Sequence, residues 1–319
     1  MLLISPSKGG IDFLAPTHPH YNIVTTEMIS LVKRLLPTPL HPAGRTILRK
    51  TRTRLIELHC ALDRRVMAED ELVCHLKRFG VLPGATIYLH SSMDQIMHRV
   101  PTLTPFTFIL ILKKLLGPEG TLLAPTFPFG GLQYYYIQKE RTFNVKHSPS
   151  MVGLFTELFR RTEGVTRSLH PTHPIAAWGK HSRELVAEHH LGTAFGRKSP
   201  VYKMQAFNGL IVGLGVTPKN CFTLYHVAEE LHPKSYAMNY CNESFDMKII
   251  NDTEEILYRV TPMRPDRIRR YGRAEHILRR EGILRYEKVK GLEISSASVH
   301  QFLQRSSELI ETNMFYSSM

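Results

Sequence analysis

The chain has 319 residues, of which 43% are hydrophobic and 22% charged, and its formal net charge is +13. This composition excludes disordered, collagen-like and coiled-coil proteins and predicts a packed globular chain. No apolar run approaches the roughly 20 residues of a membrane-spanning helix. The first residues also lack the basic opening and apolar stretch of a secretory signal, so we expect a cytoplasmic protein.

Residues 1–66 are predicted to form a basic helical extension with irregular stretches rich in Pro and His. Nine Lys or Arg residues lie in 31–65 against two acids, and they alternate with apolar residues. This pattern indicates either solvated helices or a peripheral attachment to an anionic membrane surface. No zinc-finger, RRM or helix-turn-helix pattern accompanies the charge, so nucleic acid is an unlikely partner in this prediction.

A regular alternation of strands and helices begins at residue 67 and defines a predicted second domain, 67–319. Helices are predicted at 69–79, 105–116 (capped by Thr104), 150–159 (capped by Ser150), 182–189, 224–231 (capped by Thr223), 274–280 and 298–312. Strands are predicted at 86–90, 121–124, 175–178, 210–215 and within 241–291. Because strands joined by helices pair in parallel, we predict an α/β fold with a central, mostly parallel or mixed sheet flanked by helices.

The motifs of several enzyme classes are missing from the sequence. It contains no GxGxxG, GxSxG or P-loop pattern, which argues against a dinucleotide oxidoreductase, a serine hydrolase and a P-loop NTPase. The four cysteines show no CxxC spacing, and the 17 histidines show no HExxH, so no metal site is expected. His226 and Glu229 share a helical face at i, i+3, where a carboxylate can orient an imidazole or simply make a surface contact.

Six segments in fixed order resemble the signature of the aminoglycoside 3-N-acetyltransferase family. They are LHSS at 89–92, GTLLAPTF at 120–127, SPSMVG at 148–153 with Glu157, RSLHPTHPIAAWG at 167–179, FGRKSP at 195–200 and TLYHVAE at 223–229. Each segment is short, but the six follow one another in the family's order and are spaced over about 140 residues. The resemblance does not extend to residues 1–66.

The resemblance implies an acetyl-CoA-dependent N-acetyltransferase with its own α/β fold, distinct from the GNAT acetyltransferases. It places His189, before the FGRKSP segment, as the general base, with His226 and Glu229 in the same pocket. His170 and His173 of the HPTHP turn compete for the role of base. Acetyl-CoA is expected at Ser91, Ser92 and Thr223. The acceptor amine is expected near His170, His173 and Ser199.

The chemistry requires little machinery, because a thioester is already electrophilic while an amine is mostly protonated at neutral pH. A neutral imidazole removes that proton and permits direct transfer without an acyl-enzyme. Thr223 or Ser199 could stabilise the developing oxyanion, and Cys221 is a less favoured alternative as a covalent nucleophile. The acceptor is predicted to be an aminoglycoside or amino sugar. The alternatives are a biosynthetic amine of a surface glycan or secondary metabolite, and a non-catalytic CoA- or sugar-binding relative.

Overall fold

The computed structural model describes residues 65–267 and 269–317, whose strands form two sheets. The strands are β1 (Thr86–Ser91), β2 (Thr121–Pro125), β3 (Thr142–Asn144), β4 (Thr166–Arg167), β5 (Ile175–Gly179), β6 (Leu210–Leu214), β7 (Phe245–Asn251), β8 (Glu254–Val260), β9 (Leu284–Val289) and β10 (Leu292–Ser298). The helices are α1 (Glu69–Arg78), α2 (Met93–Arg99), α3 (Pro105–Leu116), α4 (Gln133–Lys139), α5 (Leu154–Phe159), α6 (Ser182–Val186), α7 (Pro200–Lys203), α8 (Pro218–Cys221), α9 (Leu224–Leu231), α10 (Pro233–Asn239), α11 (Gly272–Arg280) and α12 (Val299–Glu311). Short 3-10 turns occupy His189–Leu191 and Met204–Phe207.

The larger sheet has seven strands in the order β4-β5-β2-β1-β6-β10-β9, and the smaller has three in the order β3-β7-β8. In the larger sheet β1 pairs in parallel with β2 and β6, whereas the other neighbours are antiparallel. The predicted α/β fold with a mixed, helix-flanked sheet is therefore confirmed. The parallel centre places the carboxyl ends of β1, β2 and β6 at one edge, where open α/β sheets bind ligands.

Strand β1 shows how the two faces of the larger sheet differ. Ile87 and Leu89 pack into the hydrophobic core on one face, and Tyr88 packs into the core on the other. All three side chains have no exposed surface. Because successive strand residues point to opposite faces, a strand covered by helices on both sides is apolar at nearly every position.

Helix α3 begins and ends where the sequence predicts. The Thr104 side chain accepts a hydrogen bond from the Thr107 amide at 3.1 Å, and the Thr107 hydroxyl accepts one from the Thr104 amide at 2.9 Å. Pro105 occupies the first turn, where a missing N–H leaves no hydrogen bond unmade. Gly117 follows the last turn with a φ of 65°, a conformation that favours glycine.

Three local predictions are wrong in detail. Helix α5 begins at Leu154 rather than near Ser150, whose hydroxyl instead lies 2.7 Å from that of Thr156. Helix α6 ends at Val186, and His189 belongs to a separate 3-10 turn. Thr223 precedes α9 but does not cap it, because its backbone is already helical and its hydroxyl bonds elsewhere.

The predicted extension, residues 1–66, and its membrane-binding segment at 31–65 lie almost wholly outside the described residues. The predicted division of the chain at 66/67 therefore stays a prediction. Among residues 65–267 and 269–317, no helix is both long and apolar enough to cross a bilayer.

Gly179 is a position where the close approach of β5 to β2 requires glycine. Its φ is +103°, and an added Cβ would collide with the carbonyl oxygen of Gly120 and lie 3.0 Å from Cα of Thr121. We expect Gly179→Ala to cost at least about 1–3 kcal/mol from the backbone conformation alone. Thermal unfolding measures the loss. Gly131→Ala is the control, because a Cβ there meets no atom within 4 Å, and an equal loss in both variants would contradict the prediction.

Candidate active site

His226 and Glu229 meet on one face of α9, as their spacing predicts. Nδ1 of His226 lies 3.1 Å from Oε2 of Glu229. The Glu229 side chain is completely buried, whereas 30% of the His226 side chain is exposed. A hydrogen bond to a buried charge is strong because little water competes for it. The pair thus joins a fixed carboxylate to an imidazole that solvent reaches.

Three residues from distant segments surround the Glu229 carboxylate. The Tyr316 hydroxyl donates to Oε1 at 2.8 Å, and Nε of Arg269 lies 3.5 Å from Oε2. The Tyr271 hydroxyl lies 3.2 Å from Nδ1 of His226, and burial raises the pKa of Tyr271 well above its ordinary value. A buried carboxylate is costly unless cations and donors compensate for lost water, and these groups do so. Sequence analysis missed all three, and no motif marks them.

The second ring nitrogen of His226 is available for chemistry. A carboxylate accepts hydrogen bonds, so the contact with Glu229 assigns the proton to Nδ1 and leaves a lone pair on Nε2. Within residues 65–267 and 269–317, Nε2 has no hydrogen-bond partner. The Phe195 ring stacks on the imidazole with centroids 5.3 Å apart and planes inclined by 28°. The ring is therefore held in one orientation with one basic nitrogen free.

His189, expected as the general base, has no exposed surface and uses both ring nitrogens internally. Its Nε2 lies 2.9 Å from the Ala194 carbonyl and its Nδ1 lies 2.9 Å from the Ser168 hydroxyl. Because a carbonyl only accepts, Nε2 donates and Nδ1 accepts from Ser168. Burial lowers the pKa of His189 to about 4. The geometry does not give His189 the access that a base requires, and its catalytic role stays a prediction.

The two histidines of the HPTHP turn are also buried. Nδ1 of His170 accepts from the His173 amide at 3.1 Å, and its Nε2 lies 3.0 Å from the Tyr258 hydroxyl. Nδ1 of His173 lies 3.0 Å from the Thr172 hydroxyl, and its ring meets that of Phe195 edge-on at 4.7 Å. Burial lowers the pKa of both imidazoles well below the usual range. His173 borders the site through Phe195, whereas His170 holds the loop together.

The end of β1 lies beside the start of α9. The Thr223 hydroxyl lies 3.1 Å from Nε2 of His90 and 3.3 Å from the Tyr88 hydroxyl. His90 stacks on Phe222 with centroids 5.8 Å apart. Burial lowers the pKa of His90 to about 3, and the neighbouring His226 makes a smaller contribution in the same direction. This arrangement keeps His90 neutral and fixes the Thr223 hydroxyl at the edge of the site.

The three predicted serines have different surroundings. The Ser91 hydroxyl is buried and has no hydrogen-bond partner among the described residues. The Ser92 side chain accepts from the Gln95 amide at 3.4 Å and caps α2. Ser199 is completely buried and caps α7 through the Tyr202 amide at 3.3 Å. The Ser199 oxygen is thus enclosed and used as a cap, and the expected contact of Ser199 with substrate stays a prediction.

Cys221 donates to the Thr217 carbonyl at 3.2 Å, and burial raises the pKa of its thiol, which opposes the reactive thiolate form. In the part of the chain that the structure describes, no three His, Cys, Asp or Glu side chains converge as metal ligands would.

A cleft of about 410 Å³ opens between α4, α10 and the loop after β8. Its walls include the aromatic rings of Tyr134 and Tyr240 and the carboxylate of Glu243. The Tyr134 hydroxyl donates to Glu243 at 2.9 Å. Arg264 and Asp266 also line the cleft and form an ion pair at 2.7 Å. The cleft thus combines aromatic surface with a carboxylate that has no cationic partner among the described residues.

Two hydrogen bonds and one ring stack connect this cleft with the His226 ring. The Tyr240 hydroxyl donates to Oε2 of Glu230 at 2.6 Å, and the same oxygen accepts from the Phe195 amide at 3.1 Å. Phe195 in turn stacks on His226. Burial raises the pKa of Glu230 above its usual value. The cleft and the free imidazole nitrogen therefore belong to one neighbourhood of the fold.

Comparison with known proteins gives consistent matches. The chain is 27% identical over 180 residues to the SPbeta prophage-derived aminoglycoside N(3')-acetyltransferase-like protein YokD of Bacillus subtilis, covering 51% of this chain and 65% of that protein. It is 28% identical over 178 residues to aminoglycoside N(3)-acetyltransferase VII of Streptomyces paromomycinus, covering 52% and 61%. The chain thus spans less than two thirds of the length of these relatives.

A solved structure matches the fold of the chain, and a family model matches its sequence. The solved structure of AAC-IIIb in binary complex with CoASH superposes with a TM-score of 0.64 at 20% identity, covering 80% of this chain and 100% of that one. The model of the family described as aminoglycoside 3-N-acetyltransferase matches residues 88–311, which contain His226 and Glu229. Since that match spans more than half of the sequence, the chain belongs to the aminoglycoside 3-N-acetyltransferase family.

Proposed function

We propose that the protein transfers an acetyl group from acetyl-CoA to an amine of a small-molecule acceptor, with His226 as the general base. The observation that carries this proposal is the buried Glu229 carboxylate bonded to Nδ1 of a partly exposed imidazole. Such a pair fixes the tautomer and offsets the charge that forms when Nε2 takes a proton. The names of the two relatives support an aminoglycoside or amino sugar as acceptor.

The end of β1 is the part of this site that fits acetyl-CoA. A buried hydroxyl without a partner, such as that of Ser91, is costly unless a ligand supplies one. The fixed hydroxyl of Thr223 lies beside His90 near the same strand end. Ser91 and Thr223 would hold the co-substrate, which supplies an electrophilic thioester carbonyl. The CoASH in AAC-IIIb supports this choice of ligand.

The residues of the chain then act on protons. Nε2 of His226 accepts a proton from the attacking amine, and Glu229 stabilises the imidazolium through Nδ1–H. The carbon–nitrogen bond forms while the carbon–sulfur bond breaks. The imidazolium returns its proton to the departing thiolate, so the ring ends the cycle neutral. This route needs no acyl-enzyme, in agreement with the raised pKa of Cys221.

His189 has a structural role in this proposal. Its bonds to Ser168 and Ala194 hold the loop that carries Phe195. Phe195 stacks on His226, so His189 acts on the base through that ring. Phe195 of the FGRKSP segment then supports the imidazole of His226.

The cleft beside Tyr240 is the proposed acceptor site. Glu243 would pair with an ammonium group, and the rings of Tyr134 and Tyr240 would cover a sugar face. A second candidate acceptor is a biosynthetic amine that also carries an anionic group. It is favoured by the positive charges of Arg267, Arg270 and Arg273, which are exposed.

The proposal is tested by following CoA thiol release with matched acceptors. A polycationic aminoglycoside, an amino sugar and the phosphate ester of that sugar differ in charge while all offering an amine. We expect release with at least one of them and an acetylated product by mass spectrometry. Binding of CoA without release with any acceptor would support the non-catalytic alternative, and failure to bind CoA at millimolar concentration would refute the transferase.

A further inference from the structure

We propose that Tyr316 is a positioning residue that holds the Glu229 carboxylate in line with His226. This inference rests on the proposed role of His226 as a base. The tyrosine lies 87 residues along the chain from Glu229, yet its hydroxyl reaches Oε1 at 2.8 Å. The other carboxylate oxygen, Oε2, faces Nδ1 of His226. Each oxygen of Glu229 therefore has its own partner.

The direction of the Tyr316 hydrogen bond follows from its neighbours. The Asn239 side-chain amide donates to the Tyr316 oxygen at 2.9 Å, and the Ser235 hydroxyl lies 2.7 Å from it. An ionised carboxylate only accepts, so the Tyr316 proton points to Glu229 and its lone pairs accept from Asn239 and Ser235. Burial raises the pKa of Tyr316, which keeps the phenol protonated as this arrangement requires.

The segment that carries Tyr316 is anchored on both sides. Phe315 is completely buried and packs against Tyr271 with ring centroids 5.6 Å apart. The Ser317 amide donates to the Arg270 carbonyl at 2.8 Å, and the Ser317 hydroxyl accepts from the Arg273 amide at 3.0 Å. The loop at 269–273, which supplies Arg269 and Tyr271 to the site, and the segment at 313–317 therefore position each other.

Removing the hydroxyl alone tests the inference. Tyr316→Phe leaves Oε1 without its donor, so the carboxylate is free to turn away from His226. A hydrogen bond to a charged group is strong enough that we expect kcat to fall about 10- to 100-fold, while KM for both substrates stays within about twofold. Tyr286→Phe removes a hydroxyl from β9, away from this network, and should leave kcat unchanged.

A double-variant cycle separates positioning from general stability. If Tyr316 acts only through the charge on Glu229, adding Tyr316→Phe to Glu229→Gln should change kcat by less than about twofold. Multiplication of the two single effects would overturn the inference. Thermal unfolding accompanies each variant. Should Tyr316→Phe not fold, Ser235→Ala, which removes a donor to the Tyr316 oxygen, replaces it in the same cycle.

A chemical readout keeps this inference distinct from the proposed function. Diethyl pyrocarbonate acylates a free imidazole nitrogen, and peptide mapping by mass spectrometry follows His226 alone. We expect slower modification of His226 in both Tyr316→Phe and Glu229→Gln than in the unaltered chain. This result would support the positioning role even if no acceptor were acetylated. Equal rates in all three proteins would overturn it even if acetyl transfer were observed.

Discussion

Replacing His226 with alanine is expected to lower kcat for acetyl transfer by about 10²–10⁴, because a positioned base contributes that much to a proton transfer. CoA affinity, measured by calorimetric titration, should change little, since the Ser91 and Thr223 hydroxyls remain. The residual rate should rise with pH, because a larger fraction of the acceptor amine is then already deprotonated. CoA release assays from neutral to alkaline pH measure both effects.

His189→Ala provides the comparison that decides between the two histidines. Removing the His189 imidazole leaves the Ala194 carbonyl and the Ser168 hydroxyl without their partner. The first expected effect is therefore lower stability. If His189→Ala unfolds at the normal temperature yet loses turnover, while His226→Ala remains active, the base is His189, as the family resemblance implies. If only His226→Ala loses turnover, the result supports His226 as the base.

Acid is expected to unfold the protein steeply as the pH falls from about 6.5 toward about 4. Burial lowers the pKa of His90 to about 3 and that of His189 to about 4, and it lowers the pKa of His170 and His173 well below the usual range. In the unfolded chain these imidazoles become protonated near pH 6.5. The stability that their neutral form contributes is therefore complete above pH 6.5 and is lost below it.

The size of the effect follows from proton uptake on unfolding. Between its unfolded and folded pKa values, each buried histidine changes the free energy of unfolding by about 1.4 kcal/mol per pH unit. Four such histidines change it by at most about 5 kcal/mol per pH unit. Domains are commonly stable by only about 5–15 kcal/mol, so one to three pH units suffice to unfold the chain. Urea titrations at pH 7, 6 and 5 measure the slope. Uptake of fewer than two protons on unfolding would contradict the burial of these four histidines.

The order and type of most elements could be predicted from the sequence. Helix α3 has its cap, its Pro and its terminal Gly all within the sequence, and its bounds are confirmed. The direction in which strands pair could not be predicted in the same way, because each pairing depends on a partner that is distant in sequence. Helices α4 and α5 lie between β2 and β5 in the chain, yet β5 pairs antiparallel with β2, and no local pattern indicates this. Ser150 and Thr223 look like caps, but the Ser150 hydroxyl bonds to that of Thr156 and the Thr223 hydroxyl to the distant His90.

The site was predictable only where neighbours in sequence are neighbours in space. The i, i+3 spacing brings His226 to Glu229, and the spacing alone indicates this contact. Two partners of the Glu229 carboxylate, Arg269 and Tyr316, lie 40 and 87 residues away, and their position depends on how α11 and α12 pack. Burial of His189 has the same origin, since sequence does not show which histidines the folded chain encloses.

The alternation along β1 ties the chemistry of this protein to the register of one strand. Tyr88 and His90 share the face that reaches Thr223, while Ile87 and Leu89 point into the opposite core. A slip of one residue would exchange the two sets, putting an imidazole among leucines and isoleucines and apolar groups beside Thr223. The packing of the core and the assembly of the site therefore both depend on the register of this strand.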